Sequence, residues 1–363
     1  MTTLAPAHLP RTREAGEHRV PWQSIARVNW LQNRGTLLSL ALLGVAFAAA
    51  IVIGESTIQS PYASYVAHGC SAHPAQVACV TTAFANNQTF FSNLVIALRV
   101  MPVAIGVFVG APLFARELES GAFRFTWTQS VGRTRHIALS LAVLALPVAA
   151  MTAVLGLLLN WYAHPFEVVG IESQWESGLF EAGPLVAAAW SVFALSLGAL
   201  LGMAIRRTVA AMAATAVLVG GLAVASYVEF VHHLLAIAPI ATTRLAPDGA
   251  ATGLLNIPAY RNIGPPGAWY VAGWFTGPHG QTLSENASLH LEGRFYGCWT
   301  TKRTNGEVGC VMHWLSSHGY TYWLSYQPTG RFWDFQAVEV VVLVVLAIAF
   351  ALSTLRLARS GRP

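Results

Sequence analysis

Few residues in this sequence are placed to do chemistry. The nearest approach to a metal set is Glu229, His232 and His233, one carboxylate and two imidazoles at the end of a long apolar run. Such donors can hold zinc, but one His pair beside one Glu more often marks the polar end of a membrane helix, and no metal is expected. There is no H-E-x-x-H pair and no G-x-S-x-G elbow. Lys302 is the only lysine and lies in no G-x-x-x-x-G-K-[ST] pattern, which excludes a phosphate-gripping loop. No catalytic residue and no cofactor bound by this chain is expected. What remains are charges in unusual places: Arg99 and Glu339 lie within apolar runs, and Glu229 ends another. A charge at bilayer depth costs about 3 kcal/mol or more unless it finds water or a partner. Arg99 is expected to pair with Glu339, the better match in depth, or with Glu229. Failing both, it snorkels to the outer surface.

The apolar runs that would position these charges dominate the chain. Of 363 residues, 55% are hydrophobic and only 10% charged, far below the roughly 25% charged of soluble domains. Six runs approach the roughly 20 residues that a bilayer-spanning helix needs: 36–54, 92–115, 137–159, 184–205, 209–228 and 335–355. The first starts too late for a signal peptide. The expected fold is an all-α polytopic membrane protein of six transmembrane helices, with a small β-containing extracytoplasmic module between helices 5 and 6. Four regions follow. Residues 1–35 form a cytoplasmic N-terminus, in which 22–34 has the spacing of an amphipathic interfacial helix. Residues 36–235 carry helices 1–5, 236–334 the outer module, and 335–363 helix 6 with a cytoplasmic tail.

Orientation follows from the arginines. Arg11, Arg13, Arg19, Arg27 and Arg34 precede the first run, and Arg116, Arg124, Arg133 and Arg135 separate the second from the third. Arg206 and Arg207 separate the fourth from the fifth, and Arg356, Arg359 and Arg362 follow the last. Segments 55–90 and 160–183 contain no Lys or Arg, so both termini are expected in the cytoplasm. The net charge of +5 is thereby explained by topology, and no nucleic-acid partner is expected. The four cysteines, Cys70, Cys79, Cys298 and Cys310, all fall on the expected outer side, where disulfides form. Proximity favours Cys70–Cys79 and Cys298–Cys310 among three possible pairings, with free thiols as the alternative. Within 236–334, segments 295–300 and 308–314 are expected as strands around Asn305-Gly306, and 320–326 as another.

The segment after the second run reads Phe114-Ala115-Arg116-Glu117-Leu118-Glu119-Ser120-Gly121-Ala122-Phe123-Arg124-Phe125-Thr126-Trp127-Thr128-Gln129-Ser130-Val131-Gly132-Arg133. Its R-E-x-E-x-G and T-Q-S-V-x-R stretches resemble the first cytoplasmic loop of ABC-2 type exporter permeases, and residues 326–333 are similar to actinobacterial members. The resemblance implies a permease subunit in a bacterial cell membrane. It would pair with a second permease subunit, identical or related, and dock a separate ABC ATPase subunit that binds ATP and Mg2+. It places a coupling helix at 117–128, so Arg116, Glu117, Glu119, Gly121, Phe123, Phe125, Trp127 and Arg133 become the candidate ATPase-coupling residues. Burying Phe123, Phe125 or Trp127 in a partner would contribute roughly 1.5–3 kcal/mol each; anchoring in the lipid interface is the plainer role. One departure stands out, since the loop before the last run is longer than the family's short hairpin. A different class also fits: a sensor or mechanotransmission subunit whose outer module binds a ligand.

Overall fold

Six helices of the computed structural model are long and apolar enough to cross a bilayer. The structure describes residues 22–69, 82–121, 133–169, 172–175, 177–226, 240–244, 268–284, 287 and 313–360. Helix α1 covers Trp22–Ala67, α2 Thr82–Ile105 and α3 Ala111–Glu119, the last two joined by a π-helical turn, Gly106–Gly110. Next come α4 (Arg133–Val169), the short α5 (Ser177–Glu181), α6 (Pro184–Ile205) and α7 (Thr208–Ala225). Strands β1 (Ala241–Arg244), β2 (Trp269–Thr276) and β3 (Thr321–Gln327) precede the final helix α8 (Phe332–Ser360). The expected class is what the chain adopts: mostly helix, with a small sheet between the fifth span and the last.

Several helices run beyond their apolar cores. Helix α1 continues unbroken from Trp22, so residues 22–34 are the start of the helix that enters the first span. It also passes 54 and carries Glu55 inside, buried, with both carboxylate oxygens accepting from Gln59 Nε2 at 2.8 and 3.0 Å. A one-turn i,i+4 hydrogen bond of this kind lets a helix carry a polar residue past its apolar stretch. Helix α4 likewise extends over Arg133–Val169, well past the expected 137–159.

The most buried of the candidate spans is α6, and the least buried is α7. Helix α6 packs against α8, α4, α3, the π-turn, α7 and α2. Its composition explains that position, since 184–205 contains no charge and four serine or glycine positions that let backbones approach. A Cβ at Gly198 would collide with the Gly106 carbonyl oxygen, and one at Gly202 with the Ala111 carbonyl oxygen. The π-turn lies opposite these glycines, and its wider hydrogen bond runs from the Ala111 N–H to the Gly106 carbonyl. A second core, Phe84, Phe91, Tyr162 and Phe166, joins α2 to α4, with the Phe91 and Phe166 rings stacked 4.8 Å apart.

The sheet has the order β1-β3-β2 and is antiparallel throughout. Strand β3 matches the expected 320–326 closely, whereas the other two strands were not expected where they occur. Residues 313–317 are a helical turn, which corrects the end of the strand expected at 308–314. The rest of that strand, and the one expected at 295–300, lie outside the described residues.

Candidate functional site

Two groups of residues are candidates, one at each end of α6. At its C-terminal end, α6 closes on Arg206, which takes a left-handed conformation (φ 60°) and donates its N–H to the Gly202 carbonyl at 3.1 Å. Arg207 then leads directly into α7, so the two arginines form the whole turn between the fourth and fifth spans. The first N–H groups of a helix lack intrahelical acceptors and carry partial positive charge. Glu119, the last residue of α3, supplies an acceptor from another span: its Oε2 receives the Thr208 N–H at 2.9 Å. The acidic end of α3 is thereby fastened to the start of α7.

Beyond Glu119 the helix stops. Gly121 has φ +72°, a conformation that favours glycine, and nothing crowds its Cβ position. Of the candidate coupling residues, Arg116 and Glu119 are exposed and Glu117 is half-buried on α3. Arg133 begins α4. Phe123, Phe125 and Trp127 lie outside the described residues.

At the other end of α6 the structure corrects the expected partner of Arg99. Arg99 pairs with Glu181 of α5, its Nε at 2.7 Å and its Nη2 at 2.6 Å from the same oxygen, Oε2. Of the two acids expected for it, Glu339 accepts from Trp190 instead, and Glu229 lies outside the described residues. The expectation weighed only acids within apolar runs, whereas Glu181 folds inward from the connection between α4 and α6. Burial raises its carboxyl pKa above the ordinary value, and the Arg99 guanidinium opposes that rise. Glu339 is buried on α8 and accepts from Trp190 Nε1 at 2.9 Å. Gln336, one turn earlier, donates from Nε2 to the Phe180 carbonyl at 2.8 Å and so holds α5 against α8. Glu229, His232 and His233 lie outside the described residues, and no metal-holding cluster occurs among those described. Cys70, Cys79, Cys298 and Cys310 lie outside them as well.

Above this polar cluster sits an aromatic one that reaches the sheet. Trp175 stacks on Trp269 of β2 with centroids 5.4 Å apart, and meets the edges of Phe332 and Phe335 at 5.2 and 5.8 Å. Phe180 closes the group against Phe332 at 5.6 Å. The sheet therefore rests on the same short segment, 175–181, that carries Glu181.

Sequence reasoning missed Glu181, Gln336, Trp190, Trp175 and Glu55. A signal existed for Glu181: segment 160–183 holds acids and no basic residue, and Arg99 is the basic group nearest that end of the second span.

Comparison with known proteins gives one family. The model of the family described as ABC-2 membrane transporter related matches residues 41–230, more than half of the chain. The match covers α2 to α7 and most of α1, and leaves the sheet and α8 outside. No curated protein and no solved structure matches the chain.

Proposed function

The chain belongs to the ABC-2 membrane transporter related family, and from that premise we propose that it is the membrane-spanning permease subunit of an ATP-driven ABC exporter. A separate ATPase subunit binds ATP and Mg2+ and contacts this chain through the loop between α3 and α4. Two permease subunits pair around the transport path. Both termini and the coupling loop face the cytoplasm, as the arginine distribution supports. The sheet side faces outward, where Cys70–Cys79 and Cys298–Cys310 form disulfides.

The observation that carries this proposal is the Glu119–Thr208 contact. A push on residues 117–128 moves α3, and α3 is joined to the start of α7 by that hydrogen bond and to α6 through the glycine contacts. Cores packed this tightly pass on small displacements with little internal give. The loop motion thus reaches the fourth and fifth spans together. The test is ATP hydrolysis by the complex reconstituted in lipid. Gly121→Leu, which forces a bulky side chain into a left-handed position, is expected to lower ATPase activity coupled to transport while membrane insertion persists. Unchanged coupled activity would overturn this route.

A second function, in which the sheet binds a ligand and the subunit transmits a signal, is favoured by the Trp175–Trp269 stack. It predicts ATPase activity that responds to an outer ligand with no substrate crossing the membrane.

A further inference from the structure

Among the described residues, the cluster where α2, α5, α6 and α8 meet sets one positive charge against two carboxylates and leaves two buried acceptors without a donor. Arg99 carries one positive charge, while Glu181 and Glu339 would carry two negative ones. Glu339 is 3% exposed, Gln336 1% and Glu181 9%, so bulk water does not compensate. The polar hydrogens named here are committed. Trp190 Nε1 serves Glu339 Oε1, Gln336 Nε2 serves the Phe180 carbonyl, and Arg99 serves Glu181 Oε2. Two buried acceptors remain, Glu181 Oε1 and Gln336 Oε1, which receive no hydrogen bond among the described residues. They belong to one place. The Gln336 amide lies against Gly183, two residues from Glu181, and Glu339 follows Gln336 by three residues on α8.

We propose that this cluster is a proton-binding site, in which Glu339 holds one proton as a neutral carboxylic acid within the membrane-spanning bundle. Protonation forms one O–H bond on Glu339 as one O–H bond of a hydronium ion breaks, leaving water. It brings the charge of Arg99, Glu181 and Glu339 to zero, and it adds an O–H donor to a cluster in which two buried acceptors have none. An uncompensated carboxylate buried in this way costs several kcal/mol, whereas a neutral acid with hydrogen bonds costs far less. Among the described side chains, neighbouring elements add no other counter-charge. Helix α6 has no titratable side chain over 184–205, and Asp334 of α8 is exposed. Arg331 donates to Gln327. At the same end of α4, Glu167 has its own interaction with His164. The inference stands apart from the exporter proposal and fails or survives independently of it.

Infrared difference spectroscopy of the purified full-length chain in lipid nanodiscs tests it. Wild type at neutral pH is expected to show the C=O stretch of a protonated carboxyl that is absent from Glu339→Gln. Trp190→Phe, which keeps the acid but removes its indole donor, is expected to shift that band. The Trp190→Phe arm holds even if Glu339→Gln does not fold. A wild-type spectrum lacking the band at neutral pH, or a band unmoved in both variants, overturns the proposal. Loss of the band on adding Na+ also overturns it, by assigning the site to a metal cation that displaces the proton.

Discussion

Arg99 of α2 and Glu181 of α5, 82 residues apart in the chain, meet on a single carboxylate oxygen. The pair ties the second span to the connection before the fourth, at the point where the sheet rests on the bundle. Removing one member of a buried pair leaves the other charge uncompensated, which typically costs about 3 kcal/mol. Arg99→Ala is therefore expected to lower thermal stability by that order, and Glu181→Gln by less, because an amide oxygen still accepts from the guanidinium. The double variant is expected to recover part of the Arg99→Ala loss. A double-mutant cycle with zero coupling would show that the contact contributes nothing.

Glu181 also makes stability depend on pH. Its folded-state pKa is raised by burial, which outweighs the opposing effect of Arg99. The folded state therefore binds a proton more readily than the unfolded state, and this contribution is complete below the ordinary carboxylate pKa. It is lost as pH rises through the folded value. The stability of wild type relative to Glu181→Gln is expected to fall across that window. A difference that rises with pH there would reverse the assignment.

The glycine contacts between α6 and the π-turn segment give a packing prediction. Gly202→Val has no room, because even a Cβ strikes the Ala111 carbonyl oxygen, a backbone atom that cannot swing aside. Forced separation of tightly packed elements costs about 1–3 kcal/mol or more. Gly220→Ala on α7 meets nothing within 4 Å and is expected to be near neutral. Equal melting temperatures for the two variants would contradict this packing.

Removing the Glu119 side chain takes away the acceptor at the start of α7. Loss of a helix N-terminal acceptor lowers stability modestly at an exposed position. Glu119→Ala is expected to show that modest loss together with a larger fall in coupled ATPase activity, while Arg116→Ala, on an exposed position, affects stability little. Full coupled activity in Glu119→Ala would separate the hydrogen bond from coupling.

The six spans were legible because membrane helices announce themselves by long uncharged runs, and 184–205 coincides with α6 at both ends. The helix ends were less legible. Glu55 and Glu167 break the apolar runs but not the helices, since a neighbouring side chain satisfies Glu55 and the backbone bonds continue past both. Strand β3 was visible as an aromatic alternating stretch, while β2 was hidden in a Gly- and Trp-rich segment. The Arg99 partner was illegible for a geometric reason. Depth along a span can be counted from sequence, but the inward fold of the loop bearing Glu181 depends on Gln336 and Trp175, whose partners lie far away in the chain. The Glu119–Thr208 contact was hidden in the same way, although both the acidic stretch and the two-arginine turn were in plain view.

Docking of a separate ATPase on the loop after α3 is most directly tested by site-specific photo-crosslinking in intact membranes. A photoreactive phenylalanine analogue replaces Phe123 in one version of the chain and His68, near the sheet end, in another. The proposed arrangement predicts a crosslink from position 123 to a soluble P-loop ATPase, identified by mass spectrometry, and no such product from position 68. Crosslinking to that ATPase from position 68 and not from 123 would contradict it.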